Sequence, residues 1–317
     1  MERRARSNGA RHPVGKARRA ALDRLADVAL SALERSGGAG PRTLTFLLRC
    51  YAATGRTDIQ AALEPALARA LADHTGARTA LERAAWLGAF AEALPLSADA
   101  RLREAAHALA SSLRAGWGAA APPRPGASLV DVIEGAASIE ACLRASGSLA
   151  IDRLVADAID ELERLVASTY RPGEDFLPDA AREPPPGPDE ALAARVAAAG
   201  MLLTAYEITG RLPYPMLAEE LIAQSRASGW IERAAAASRP APEPGPFQLY
   251  CDACAILCRL AVLHEDDEYR RAAVVHPGAA YAADAARLLE ALDPHADSSG
   301  NSAAAYGLAL LECGTAP

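Results

Sequence analysis

Hydrophobic positions along the chain recur at three- and four-residue intervals almost from end to end, and no stretch alternates with the period of two that marks a half-buried strand. This periodicity, read together with Gly, Pro and Ser/Asp punctuation, predicts about twelve helices. They cover residues 17–36, 42–54, 57–74, 79–93, 98–115, 129–145, 149–169, 189–209, 213–228, 247–263, 266–291 (broken near Pro277) and 300–313. "SGGAGP" ends the first, "TGRTD" turns the second into the third, and Ser128 and Ser148 are read as N-caps. The breaks alternate in length. Short turns at 53–58, 93–99, 145–150, 208–213 and 263–268 separate long, Pro/Gly-rich connections at 36–41, 115–128, 170–188, 229–246 and 292–299. Short then long, repeated, is the signature of antiparallel helical hairpins.

The hairpins resemble one another. Aligning "LLRCYAATGRTD", "EACLRASGSLA", "LLTAYEITGRLP" and "ILCRLAVLHEDD" puts Cys50, Cys142, Ala205 and Cys258 at one position just before the tight turn. That position takes only small side chains, which argues for packing. Five complete hairpins start at Arg42, leaving a helix at each end. The first carries an apolar stripe at Leu22, Leu25, Val28, Ala29 and Ala32, and the last, "SGNSAAAYGLALLEC", is apolar over much of its circumference. Pairing the two would close a ring, whereas an open solenoid would need polar end caps.

On these residues the chain resembles the six-hairpin (α/α)6 toroid superfamily, which includes glycoside hydrolases, polysaccharide lyases and N-acylglucosamine 2-epimerase-like proteins. Residues 189–222, 250–273 and 297–312 are most similar to the helical domain of spermatogenesis-associated-type proteins, although no thioredoxin-like domain precedes them here. The resemblance implies an all-α fold with the first helix of each hairpin lining a funnel, and it carries little information about activity.

Composition modifies this picture in a few places. The chain has 317 residues, of which 51% are hydrophobic but only 5% aromatic. Its only lysine is Lys16, which excludes chemistry that needs a core lysine. Residues 1–19 hold seven basic residues and one acid, so this segment is +6 and the remainder −13, within a chain of −7. The segment is expected to be a disordered basic tail ahead of a single domain over 20–317. Acidity of the body argues against a nucleic-acid groove. No secretion signal and no membrane-spanning run are expected, and the location is taken as cytoplasmic.

Candidate chemistry follows from the funnel. Asp131, Glu134 and Asp252 lie near the starts of inner helices and are the candidate catalytic carboxylates, since glycoside hydrolysis needs two. Acids also cap helix N-termini, and that alternative stands beside each of them. Tyr250, Trp117, Trp230, Asp175, Asp179 and Asn301 are candidate ligand-binding residues, with the tryptophans either sugar platforms or seals between hairpins. The six histidines do not form the inward pair that an epimerase would need. Cys251, Cys254 and Cys258 share a helical face. Packing is the favoured reading over metal or redox chemistry, because Cys251 and Cys258 are too far apart along one helix to share an ion, although a thiolate near the helix start would be stabilised. Free thiols, no metal and no cofactor are expected. The funnel is read as binding a small polar or carbohydrate-like ligand or a partner protein, with a carbohydrate-active enzyme and an open helical scaffold as alternatives.

Overall fold

A computed structural model describes residues 15–118, 128–170, 187–226, 229–236, 245–272, 276 and 279–314, and every described element is helical. Six helices form an inner ring: α2 (Pro41–Thr54), α4 (Ala80–Ala93), α6 (Leu129–Ala145), α8 (Pro188–Thr209), α11 (Gly245–Glu265) and α14 (Gly300–Glu312). Each packs on the next, and α14 returns to α2. Outside them run α3 (Thr57–Asp73), α5 (Ala100–Ala115), α7 (Leu154–Thr169), α9 (Pro213–Arg226) and α13 (Tyr281–Leu292), with α1 (Lys16–Ser36) backing α14. Two short helices, α10 (Trp230–Ala236) and α12 (Asp267–Ala272), lie between them in sequence. The architecture is an all-α (α/α)6 toroid, closed by the first and last helices. Closure excludes the open-scaffold reading.

Local sequence explains most boundaries. Ser128 and Asp131 form a reciprocal capping box at the start of α6, and Thr79 and Glu82 do the same for α4. α2 and α8 start on proline at the first helical position and end on Gly55 and Gly210 in the left-handed conformation. Three expectations shift. Ser148 does not cap: its hydroxyl donates to the Ala91 carbonyl, and α7 begins only at Leu154, after Arg153 at φ 56°. Residues 16–19, assigned above to a disordered tail, form the first turn of α1, where Arg19 donates to the Thr54 carbonyl. Finally, α8 and α11 are long and apolar enough to cross a membrane by length and composition, contrary to expectation. Both line the toroid's inner wall, where a helix contacts neighbours on most sides and has little need of a polar face.

The closing joint is tight. A Cβ on Gly307 would lie 2.2 Å from Phe46 of α2, and one on Gly300 would lie 2.5 Å from the Ala32 side chain of α1. Phe46 is fully buried and has nowhere to move. The small-residue position shared by the hairpins holds as expected: Cys50, Cys142 and Ala205 have no exposed surface and Cys258 has 4%. Away from the funnel, the fully buried Glu219 of α9 accepts from Tyr269 and lies 2.7 Å from His264 Nε2, tying α9 to α11 and α12.

Gly307→Val should cost about 3 kcal/mol, the upper range for overpacking a core that cannot relax. Chemical denaturation of the variant checks this, and a wild-type midpoint would contradict the packing described at the joint.

Candidate functional site

Inner-helix N-termini surround the mouth of a central cavity of about 460 Å³, which reaches Arg144 and Glu312 in the last turns of α6 and α14. Its waist is aliphatic, with Ile133, Ala137, Val196, Ala197, Leu249 and Ile256. At the mouth Arg42 donates to both oxygens of Asp252, at 2.7 and 2.9 Å, joining the first turn of α2 to α11. Nearby, the Thr43 hydroxyl donates to Asn301 Oδ1 at 3.2 Å.

Charged side chains form the floor. Taken in ring order, the inner helices contribute Arg49, Glu92, Arg144, Glu207, Arg259 and Glu312, an alternation of sign from one helix to the next. Arg49 donates to Glu92 at 2.7 Å and to Glu312 at 2.6 Å. Arg259 donates to Glu207 at 2.9 Å and to the Thr204 hydroxyl at 3.0 Å. A seventh charge, Glu140, sits inside the ring. It accepts from Arg144 at 2.8 Å and from Thr204 at 3.0 Å, with Arg259 3.7 Å away.

Burial pushes the carboxyls of Glu140 and Glu312 toward protonation, and the surrounding arginines outweigh it. Arg144 and Arg259, with hydrogen bonds from Arg144 and Thr204, bring Glu140 below its ordinary value of 4.5. Arg49, Arg144 and Arg259 do the same for Glu312. Both are therefore ionised at neutral pH and unsuited to donating a proton there. At the mouth the Asp252 charge, outweighing burial, raises the Arg42 pKa, which marks this as a paired salt bridge.

The structure places the sequence candidates unevenly. Asp252 and Asn301 reach the mouth. Asp131 is committed to its capping box, accepting from the Ser128 backbone at 2.8 Å. The cavity-facing stripe of α6 is Ile133, Ala137, Glu140 and Arg144, which leaves out Glu134. Trp230 has no exposed surface and stacks on Tyr250 with ring centroids 6.3 Å apart, so it cannot offer a face to a ligand. Tyr250 is itself buried, and its hydroxyl donates to Asp189. Trp117 donates its indole N–H to Ser138 at 3.0 Å, sealing the end of α5 against α6. Asp175 and Asp179 lie outside the described residues.

The cysteines differ from expectation in two ways. Cys258 and Cys313 are joined by a disulfide, with Cα atoms 4.9 Å apart, where free thiols were expected. The sequence interval between them is 55 residues, and the packing of α14 on its ring neighbour α11 brings them together. Cys251 gains nothing from its place near the start of α11: burial pushes its thiol well above the ordinary value, with Asp252 adding to the effect.

Sequence reading missed the charged floor. Its signal was a charge on the apolar face in the last turns of each inner helix, with the sign switching at each successive one. Isolated arginines and glutamates of that kind read as solvated faces until the helices are set in a ring.

Comparison with known proteins fits this geometry at the level of fold. A solved α-1,6-mannanase, GH76A from Salegentibacter sp. HEL1_6, superposes with a TM-score of 0.59 over 94% of this chain and 99% of that one, at 12% sequence identity. Identity that low shows a shared toroid and no more. No protein-family model matches the chain, and no curated protein is similar to it.

With folded-state pKa values below 4.5, Glu140 and Glu312 contribute their full stability above about pH 4.5 and lose it as the pH falls through those lower values. Glu140→Gln, which leaves Arg259 and Arg144 short of a partner, should cost about 3 kcal/mol at neutral pH and flatten the acid limb of a melting-temperature profile. A limb of unchanged steepness in the variant would show that these carboxylates do not carry the acid sensitivity.

Proposed function

We propose that the central funnel binds a neutral, carbohydrate-like ligand. The observation that carries this reading is the balance of the lining. Arg42, Arg144 and Arg259 are matched by Glu140, Asp252 and Glu312, each charge already engaged by another. An ionic ligand would have to break pairs to bind, whereas a polyol can add hydroxyl groups to the unused edges of paired carboxylates and guanidiniums. The cavity falls within the usual size range of small-molecule sites. Likeness to a toroid that acts on α-1,6-mannan lends support to the carbohydrate class. Within the superfamily, the motifs at 189–222, 250–273 and 297–312 favour kinship with the spermatogenesis-associated type of helical domain.

Glycoside hydrolysis is the second reading, favoured by that mannanase likeness. In it Asp252, hydrogen-bonded through both oxygens by Arg42, would be the base or nucleophile. A protonated partner would have to come from outside the floor, since Glu140 and Glu312 are held ionised; Asp175 and Asp179 are the sequence's remaining candidates. The ionised state of Glu140 and Glu312 supports ranking binding ahead of cleavage.

Calorimetric titration with neutral oligosaccharides, α-1,6-linked mannooligosaccharides among them, should give saturable binding that weakens roughly tenfold in Asp252→Asn. Parallel incubation with α-1,6-mannan separates the readings. Release of new reducing ends, abolished in Asp252→Asn, would establish hydrolysis. Failure of every neutral glycan to bind or react would overturn both.

A further inference from the structure

The Sγ atoms of Cys254, Cys258 and Cys313 lie within 4.8 Å of one another, where the middle of α11 meets the C-terminus of α14. Two belong to the disulfide, and the third, Cys254, is a free thiol one turn before Cys258 on the same helical face. Neither the funnel nor the carbohydrate reading uses this cluster. Cys251 stands outside it, so the trio differs from the three cysteines that sequence spacing alone puts together. The packing of α14 on α11 exchanges Cys251 for Cys313.

Around a cation with metal–sulfur bonds of about 2.3 Å, ligand sulfurs stand about 4 Å apart. Once the Cys258–Cys313 bond is opened, the trio reaches that spacing if its widest pair closes by about 1 Å or less and the formerly bonded pair opens by about 2 Å. A structural zinc would want a fourth ligand, and among the described residues no other His, Cys, Asp or Glu joins this cluster. Three thiolates and no fourth ligand suit a soft cation that accepts trigonal coordination, Cu(I) above all. Access exists as well: Cys254 and Cys258 are buried, but Cys313 is partly exposed at the end of α14.

We propose that, in its dithiol form, this chain binds one soft monovalent cation of the Cu(I) type through Cys254, Cys258 and Cys313. A dithiol reductant supplies two electrons and two protons to open the disulfide and is itself oxidised to a disulfide. Binding then replaces three S–H bonds with three copper–sulfur bonds and releases three protons to solvent. The metal and the disulfide are thus alternative fastenings of one joint. That joint borders the funnel floor, because Cys258 precedes Arg259 and Cys313 follows Glu312.

The test uses the full chain, reduced with dithiothreitol, freed of reductant and titrated anaerobically with Cu(I) from a competing chelator. One Cu(I) per chain should bind, with an ultraviolet thiolate-to-copper charge-transfer band and a raised melting temperature. Cys254→Ala, Cys258→Ala and Cys313→Ala should each weaken binding on the order of 100-fold, while Cys50→Ala, remote from the trio, should leave it unchanged. Should one of the three fail to fold, the other two carry the same comparison. Absence of the band, or equal affinity in Cys313→Ala and wild type, would overturn the proposal. Since the readout is metal binding in glycan-free buffer, its result is independent of the carbohydrate reading.

Discussion

Closure of the ring by α14 is the constraint on which the rest of the structure depends. This helix brings Glu312 to the floor, Cys313 to the disulfide and Asn301 to the mouth, and it fits only because Gly300 and Gly307 let it approach α1 and α2. Each inner helix is fixed by its two neighbours, so the seam where the chain ends meet carries the same load as every other contact with no covalent continuity behind it. Tight apolar packing and the Arg49–Glu312 pair act at that seam, and the Cys258–Cys313 bond ties α14 to α11 on its other side.

The charged floor shows how closure and function are linked. Partly desolvating this many charges is costly unless each finds a partner, and the partners here come from successive helices around the ring. Arg49 links α2 to both α4 and α14, and Arg259 links α11 to α8 and α6. Ionic satisfaction therefore demands the right helix order and register. The same arrangement leaves a cavity whose polar groups are preorganised and electrically balanced, which suits a neutral hydroxyl-rich guest and keeps Glu140 and Glu312 ionised at neutral pH.

Much of the fold was legible because its signals are local. Helical period, proline starts, glycine stops and the Ser128 cap each depend on a few neighbouring residues, and the alternation of short and long breaks exposes the hairpins. Where several residues must cooperate across the chain, reading fails. The Cys258–Cys313 bond spans 55 residues and exists only because α14 packs beside α11. Trp230 at a helix start suits a rim platform as well as a seal, and only packing against Tyr250 decides between them. The seven-residue α10 lies within a Pro-rich stretch where periodicity has no length to show itself. Asp131 and Glu134 were chosen for their spacing, but one is spent on a cap and the cavity-facing stripe of α6 passes the other by.

The most direct test of this account is the unfolding of a chain truncated after residue 299, which removes α14 and leaves every other hairpin intact. A closed toroid predicts that the whole cooperative transition is lost, with near-complete amide hydrogen exchange throughout the remaining helices. A truncated chain that still unfolds in one sharp transition, with α4 to α9 protected as before, would show that the hairpins stand as an open solenoid and that closure is not what holds them.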